Sequence, residues 1–217
     1  MTDSLTLYTN PMSRGRIARW MLEEVGEPYE TVLLEYGTAM KGADYLAVNP
    51  MGKVPAIRHG DTVVTEAAAI CAYLADAFPE KGLAPPVGDP ARGPYYRWMF
   101  FAAGPVESAV TGKSLGLLAP AEKKMMAGYG SFEETIDALE QAVSGSDYIC
   151  GDRFSAADVY VGSQIGWGMM FGSIEKRPAF EDYFGRISRR PAAIRASEID
   201  DAIIADQKAK EAEASPA

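Results

Sequence analysis

Residues 49–74 read NPMGKVPAIRHGDTVVTEAAAICAYL, and this stretch decides the fold. Residues 54–57 form a short apolar run that predicts a β-strand, and the His-Gly-Asp sequence at 59–61 predicts a hairpin turn. Residues 62–64 predict the return strand, and the alanine-rich run after them predicts a helix. One segment therefore supplies a strand, a hairpin, a second strand and a helix in direct succession.

Two features of this stretch suit the binding of an extended peptide with an acidic end. Pro55 cannot donate a hydrogen bond to a neighbouring strand, and a cis Val54-Pro55 peptide bond would turn the backbone groups of Val54 outward. Thr65 is a suitable N-cap for the helix, which we expect to run from Glu66 to about Phe78. The first N–H groups of such a helix have no partner within it and bind carboxylates well.

The residues before this stretch predict a strand, a helix and another strand. Residues 5–8 have the side-chain pattern of a short β-strand, and residues 29–34 predict a second strand. Between them, apolar residues recur every four positions from Ser13 until Gly26, which is a common helix stop. The order βαβ followed by ββα is typical of a thioredoxin-like domain.

The second half of the chain loses its strand signals and predicts helices. Residues 95–118 predict one long helix bent near Gly104-Pro105, and residues 155–171 predict an apolar helix that opens with the capping box Ser155-x-x-Asp158. We therefore expect an α/β thioredoxin-like N-terminal domain and an all-α C-terminal domain. The expected bounds are 1–80 for the first domain, 81–90 for a proline-rich linker, 91–204 for the helical domain and 205–217 for a polar tail.

Composition and charge limit the partners and the compartment. A formal net charge of −9 argues against nucleic acid and anionic membranes, and no run is long and apolar enough to span a bilayer. The first residues, MTDSLTLY, carry no export signal, and Cys71 and Cys150 lie in apolar runs typical of reduced thiols, so we expect a cytoplasmic protein. His59 is the only histidine, and without metal-ligand spacing we expect no metal site.

Four motifs resemble, in this order, those of bacterial cytosolic glutathione S-transferases of the serine type. They are PMSRGRIA at 11–18, NPMGKVPAI at 49–57, TEAAAICAYLADAF at 65–78 and YICGDRFSAADVYVG at 148–162. The resemblance implies the two-domain fold of that family, a homodimer, and a detoxification reaction in which the thiolate of glutathione, the cosubstrate, attacks a small hydrophobic electrophile. The alternative is a non-catalytic, transferase-like protein that binds a ligand or a protein partner.

The same resemblance implies a set of glutathione-binding residues. An acidic residue at the position of Glu66 holds the γ-glutamyl ammonium, the next residue binds the γ-glutamyl carboxylate, and the backbone of Val54 pairs with the cysteinyl residue. The family usually has Ser or Thr where this chain has Ala67, so one hydroxyl hydrogen bond worth about 0.5–1.5 kcal/mol is missing. The expected set is Lys41, Lys53, Val54, Pro55, Glu66 and Ala67.

Catalysis requires that glutathione react as a thiolate. A free thiol has a pKa of about 8.5, and lowering it by about two units takes about 2.7 kcal/mol, which a hydroxyl donor at a helix N-terminus supplies. Ser13, at the start of the first helix, is the catalytic candidate, and Asn10 is the alternative. Ser13 has a second interpretation as a helix cap and nothing more. No cysteine lies in this stretch, which argues against the cysteine-type members of the family.

The electrophile is expected to bind among methionine and aromatic side chains, although such stripes are also typical of core packing. The expected pocket residues are Met12, Met99, Phe100, Ala103, Glu107, Trp167 and Phe171. Along the first helix, Arg14, Arg16 and Arg19 suit a charge-binding role or an exposed basic face.

Overall fold

The computed structural model describes residues 4–214 and divides into two compact units. The first unit runs to Ala77 and resumes at Arg190, and the second spans Phe78–Arg189. Residues 1–3, at the start of the segment in which we expected no export signal, and residues 215–217, at the end of the expected polar tail, lie outside the described residues. No helix within 4–214 combines the length and the apolar character needed to cross a membrane.

The first unit is an α/β layer structure. Its elements are β1 (Leu5–Thr9), α1 (Gly15–Val25), β2 (Tyr29–Leu33), α2 (Ala43–Leu46), β3 (Ala56–His59), β4 (Thr62–Thr65), α3 (Ala67–Ala77) and, after the second unit, α9 (Pro191–Ala214). The four strands form one sheet in the order β2-β1-β3-β4, with β1 parallel to β2 and the other pairs antiparallel. Side chains alternate along β1, so Leu5 and Leu7 are buried on one face while Tyr8 packs on the other with Tyr45 and Ala56.

This arrangement confirms the thioredoxin-like fold, but the predicted cap of the helix after β4 was wrong. Thr65 is the last residue of β4, where it pairs with Ala56, so its backbone belongs to the sheet ladder. The turn falls one residue later, at Glu66, and α3 begins at Ala67.

A buried ion pair joins α1 to α9. The Arg19 Nε–H donates to Asp200 Oδ1 at 2.9 Å, both side chains are almost fully buried, and Arg19 Nη1 also donates to the Tyr29 hydroxyl. The expectation of an exposed basic face on α1 is therefore wrong for Arg19, because the carboxylate that neutralises it lies 181 residues further along the chain. Further ion pairs between α1 and residues 190–201 include Arg16–Asp201, Glu23–Arg195 and Glu24–Arg190.

The second unit is helical over the residues that the structure describes. Its helices are α4 (Arg92–Phe101), α5 (Glu107–Leu115), α6 (Phe132–Ser144), α7 (Ala156–Phe171) and α8 (Pro178–Ile187). Residues 102–106, which include Pro105, form a π-helical turn between α4 and α5. Proline has no N–H to donate, so the helix widens into a π-helical turn at the place where the sequence predicted a bend.

The predicted capping residue of α7 is confirmed. Asp158 is fully buried, and its carboxylate accepts from the backbone N–H groups of Ile149 and Ser155 at 2.8 Å each and from the Tyr183 hydroxyl at 2.8 Å. Burial raises the pKa of this carboxyl, and the donors around it oppose that rise. Asp158 thus ties the 148–155 connection and α8 to the start of α7.

The contacts divide the chain at a different place from the boundaries expected from sequence. We expected the helical domain to continue to residue 204, whereas residues from Arg190 onward group with the first unit because α9 packs against α1. Helix α9 also extends through most of the expected polar tail, to Ala214.

We predict that Asp200→Ala lowers the free energy of unfolding by about 3–5 kcal/mol, because it leaves the Arg19 charge buried without its partner. The neighbouring substitution Asp201→Ala is the matched control. Asp201 is 63% exposed in its pair with Arg16, so removing it changes stability by about 0–1 kcal/mol. Urea unfolding of the three proteins measures both changes. Equal effects of the two substitutions would contradict this assignment.

Candidate functional site

Three strands of the first unit have one of their ends at the same edge of the sheet. The strand register pairs Tyr8 with Ala56 and Ala56 with Thr65. At this edge β1 ends, β3 begins and β4 ends, so the loop after Thr9, the Val54-Pro55 turn and the start of α3 are neighbours. The candidate binding residues of the first unit lie along this edge.

The Val54-Pro55 turn offers an unpaired stretch of backbone. The Val54-Pro55 peptide bond is cis, and β3 begins only at Ala56. Neither the N–H nor the C=O of Val54 has a backbone partner in the part of the chain that the structure describes. These two groups are therefore available to an extended peptide, and the side chain of Lys53, immediately before them, is exposed.

The turn at Glu66 places a free carboxylate beside free N–H groups. Glu66 has a φ of +65°, in the left-handed region that disfavours residues other than glycine. Its side chain is exposed, and within residues 4–214 its carboxylate has no hydrogen-bond or ion-pair partner. Helix α3 starts at the next residue, Ala67, and its first N–H groups lack partners within the helix. One turn can therefore bind both the ammonium and the carboxylate of an amino acid.

The first loop is held together by hydrogen bonds that engage both the side chain and the backbone carbonyl of Asn10. The Asn10 side chain is buried, donating from Nδ2 to the carbonyl of Leu34 and accepting from the Met12 N–H at Oδ1, each at 2.9 Å. The Asn10 carbonyl accepts from both the N–H and the hydroxyl of Ser13, at 3.1 and 2.6 Å. The Ser13 Oγ in turn accepts from the Gly15 N–H at 2.9 Å. Asn10 therefore shapes the loop. The half-buried Ser13 accepts from the N–H of the first residue of α1, but the N-cap position is Arg14, one residue later than the alternative interpretation of Ser13 expected.

A close contact fixes where α1 starts relative to β1. A Cβ added to Gly15 would lie 1.9 Å from Thr9 Oγ1, far inside van der Waals contact. Only glycine allows this approach, so the loop between Thr9 and Gly15, which carries Asn10 and Ser13, is tightly constrained.

Lys41 is exposed, but its ammonium is already engaged within the first unit. Its Nζ donates to the carbonyl groups of Met51 and Gly52, at 2.9 Å each. Of the two candidate lysines, Lys53 is therefore the one with an unengaged ammonium among the described residues.

Sequence reasoning missed two residues next to Lys53. The Lys53 carbonyl accepts from the Tyr45 hydroxyl at 2.7 Å and from Asn49 Nδ2 at 2.8 Å. The Asn-Pro pair that opens NPMGKVP was the only available signal for Asn49, and Tyr45 had none, because its role depends on a tertiary contact.

The expected pocket residues divide between the two units, Met12 in the first and the other six in the second. Met99 is buried, Trp167 is half-buried, and Glu107 accepts a hydrogen bond from Gln164 Nε2 at 3.2 Å. The exposed members are Met12, Phe100, Ala103 and Phe171. Within the second unit, the surface of the α4–α5 helix and the end of α7 thus offer apolar side chains.

Both cysteines are poor nucleophiles. Burial raises the pKa of the Cys71 thiol on α3 well above its ordinary value. Burial, together with the nearby Asp158 carboxylate, raises the pKa of Cys150 to about 12. Neither thiol is ionised near neutral pH. Among the residues described, no three His, Cys, Asp or Glu side chains are grouped so that they could hold a metal ion.

Comparison with known proteins links this geometry to one family. The family model described as "Glutathione S-transferase, N-terminal domain" matches residues 12–77, and the corresponding "C-terminal domain" model matches residues 121–186. Glutathione S-transferase GstB of Escherichia coli (strain K12) is 30% identical over 182 residues, covering 79% of this chain and 86% of GstB. GstA of Escherichia coli O157:H7 is 27% identical over 208 residues, covering 93% and 98% of the two chains.

Solved structures give the same relationship. The glutathione transferase from Methylococcus capsulatus str. Bath superposes with a TM-score of 0.75 at 32% identity, covering 90% of this chain and 98% of its own. A sphingomonad glutathione S-transferase complexed with glutathione has a TM-score of 0.72 at 31% identity, with the same coverage.

We predict that Glu66→Gly raises the free energy of unfolding by about 0.5–1 kcal/mol, because glycine adopts a φ of +65° without the steric cost that glutamate bears. Glu66→Ala removes the same carboxylate but keeps a Cβ, so it should bring no such gain. Thermal unfolding of both variants distinguishes the effect of backbone strain on stability from the effect of removing the carboxylate charge. If alanine stabilises as much as glycine, the strain is not at this backbone position.

Proposed function

Since the chain belongs to the glutathione S-transferase family, we propose that it binds reduced glutathione at the sheet edge of the first unit and adds the glutathione thiolate to a small hydrophobic electrophile. The observation that carries this proposal is the juxtaposition of two sets of unpaired groups: the Val54 backbone, and the Glu66 carboxylate beside the first N–H groups of α3. These are the groups that a γ-glutamyl tripeptide needs.

Each part of glutathione has a suitable partner on this edge. The γ-glutamyl ammonium pairs with Glu66, and its carboxylate accepts from the N–H groups at Ala67 and the start of α3. The cysteinyl residue forms an antiparallel pair with Val54 beside Pro55, and the glycyl carboxylate lies within the reach of Lys53. A sphingomonad relative has been solved complexed with glutathione, which supports glutathione as the ligand.

Ser13 is better placed than Asn10 to stabilise the thiolate. To reach a thiolate, the Ser13 hydroxyl must give up its hydrogen bond to the Asn10 carbonyl, but that carbonyl keeps the Ser13 N–H as a donor. The rotation therefore leaves no buried acceptor unpaired. The Asn10 amide is held in place, because turning it would release the buried carbonyl of Leu34, so Asn10 has only the second hydrogen of Nδ2, in its present direction, to offer a ligand. Ser13 acts as a hydrogen-bond donor to the sulfur and need not remove its proton.

Within the second unit, the exposed apolar side chains of Phe100, Ala103 and Phe171 are the candidates for contact with the electrophile. Their apolar character favours a hydrophobic substrate such as an aryl or alkyl halide. A homodimer in the cytoplasm with a role in detoxification is the setting that we propose for this reaction.

We predict that titration calorimetry detects glutathione binding in the millimolar range or tighter, and that Glu66→Ala weakens it by about 10- to 100-fold, the value of a charge-assisted hydrogen bond. The control is Asp61→Ala, which removes an exposed carboxylate from the hairpin at the opposite end of β3 and β4. Asp61→Ala should bind as wild type does. An affinity that is unchanged in Glu66→Ala would refute this part of the site.

We predict that Ser13→Ala slows the conjugation of glutathione with a chloro-dinitro arene by up to about 100-fold, because the bound thiol loses about two units of pKa depression. Ser13→Thr keeps a hydroxyl and should retain most of the rate. The ultraviolet absorbance of bound thiolate, followed against pH, should show a higher pKa in Ser13→Ala. If Ser13→Ala keeps the full rate, Ser13 has only a structural role, and Asn10→Ala is the next variant to measure. No turnover by the wild type, with glutathione binding intact, would favour the non-catalytic alternative.

A further inference from the structure

The carbonyl groups just before Val54 are each held by a side chain. Lys53 C=O accepts from the Tyr45 hydroxyl at 2.7 Å and from Asn49 Nδ2 at 2.8 Å. The carbonyls of Met51 and Gly52 both accept from Lys41 Nζ at 2.9 Å. Three successive carbonyl groups are thus fixed by three side chains that come from residues earlier in the chain.

The segment has little room to take another shape. Gly52 has a φ of +56°, and a Cβ there would lie 2.6 Å from the Met40 carbonyl oxygen. The Met51 N–H donates to Asn49 Oδ1 at 3.1 Å, and the Gly52 N–H donates to the Asn49 carbonyl at 2.8 Å. Asn49, which is buried, therefore closes the loop at both its side chain and its backbone.

Tyr45 anchors this network to the core of the first unit. Its ring is buried in a cluster with Leu34, Met40 and Ala56, and lies 5.7 Å from the ring of Tyr8. Burial raises the pKa of Tyr45 to about 12, so its hydroxyl stays a donor at any working pH. The direction of the Lys53 carbonyl is therefore set from the hydrophobic core.

The link to ligand binding follows from the planarity of the peptide unit. The Lys53 carbonyl and the Val54 N–H belong to the same peptide plane and point in opposite directions. Two hydrogen bonds that fix the carbonyl therefore fix the direction of the N–H on the other side. That N–H has no partner in the described protein and is one of the groups assigned to the ligand.

We propose that Lys41, Tyr45 and Asn49 are positioning residues for glutathione, which aim the Val54 backbone at the cysteinyl residue without contacting the tripeptide. This inference rests on the proposed function. Lys41 then has a role different from the direct contact expected from sequence. Of the two lysines, only Lys53 contacts the glycyl carboxylate.

The first test is titration calorimetry of glutathione with Tyr45→Phe, which removes only the hydroxyl. We expect the dissociation constant to rise about tenfold, because the Lys53–Val54 peptide unit loses one of two restraints. Tyr73→Phe is the matched control, since its hydroxyl pairs with His59 and lies away from this loop. Asp200→Ala is the second control, because it destabilises the same unit through α9 and should leave the dissociation constant unchanged.

The outcomes are distinguishable. A tenfold loss in Tyr45→Phe that neither control shows supports positioning. Wild-type affinity in Tyr45→Phe, or an equal loss in Asp200→Ala, overturns it while the proposed function stands. No binding by the wild-type protein overturns the proposed function and the inference with it.

The second test separates the two lysines with the glycyl ethyl ester of glutathione, which lacks the glycyl negative charge. Lys41→Met should weaken the binding of glutathione and of the ester by the same factor, because Lys41 acts through the 51–52 carbonyls. Lys53→Met should weaken the binding of glutathione and leave the affinity for the ester the same as in the wild-type protein. If Lys41→Met loses affinity for glutathione but not for the ester, then Lys41 contacts the ligand, and its positioning role is overturned.

Discussion

The buried pairing of Arg19 with Asp200 is the constraint on which the first unit depends. A guanidinium with no access to water is stable only beside its carboxylate, so α1 requires α9 although the rest of the helical half separates them in sequence. At its first residue, Gly15, α1 approaches Thr9 of β1 so closely that only glycine fits. This close approach gives the loop that carries Ser13 a defined position.

Around the sheet edge, polar groups that shape the site are paired and those that suit a ligand are not. The amide of Asn10, the ammonium of Lys41 and the carbonyl of Lys53 all have partners within the protein. The Val54 backbone and the Glu66 carboxylate have none among the described residues. Proteins normally pair their polar groups with one another. The paired groups at this edge therefore maintain the fold, and the unpaired groups are the candidates for binding a ligand.

Local patterns predicted much of this molecule. The strand-hairpin-strand run after Pro55, the irregular helical turn at Pro105 and the cap at Asp158 all follow from residues close together in sequence. Tertiary pairing decided the rest. Thr65 has the chemistry of an N-cap, but its backbone was needed by the ladder opposite Ala56. Arg19 looked like a surface residue because Asp200 is remote in sequence, and Tyr45 gave no signal because only the folded loop brings it to Lys53.

The protonation state of the two thiols affects how easily the protein is alkylated. Cys71 and Cys150 are the only cysteines in the chain, and burial keeps both protonated at neutral pH. A protein that handles electrophiles risks alkylating itself, and the thiolate is the side-chain form most prone to this reaction. Neither cysteine of this chain presents a thiolate, so in the reaction that we propose the only thiolate to meet an electrophile is that of glutathione. Under that proposal, the fold protects the enzyme from inactivation by its own substrates.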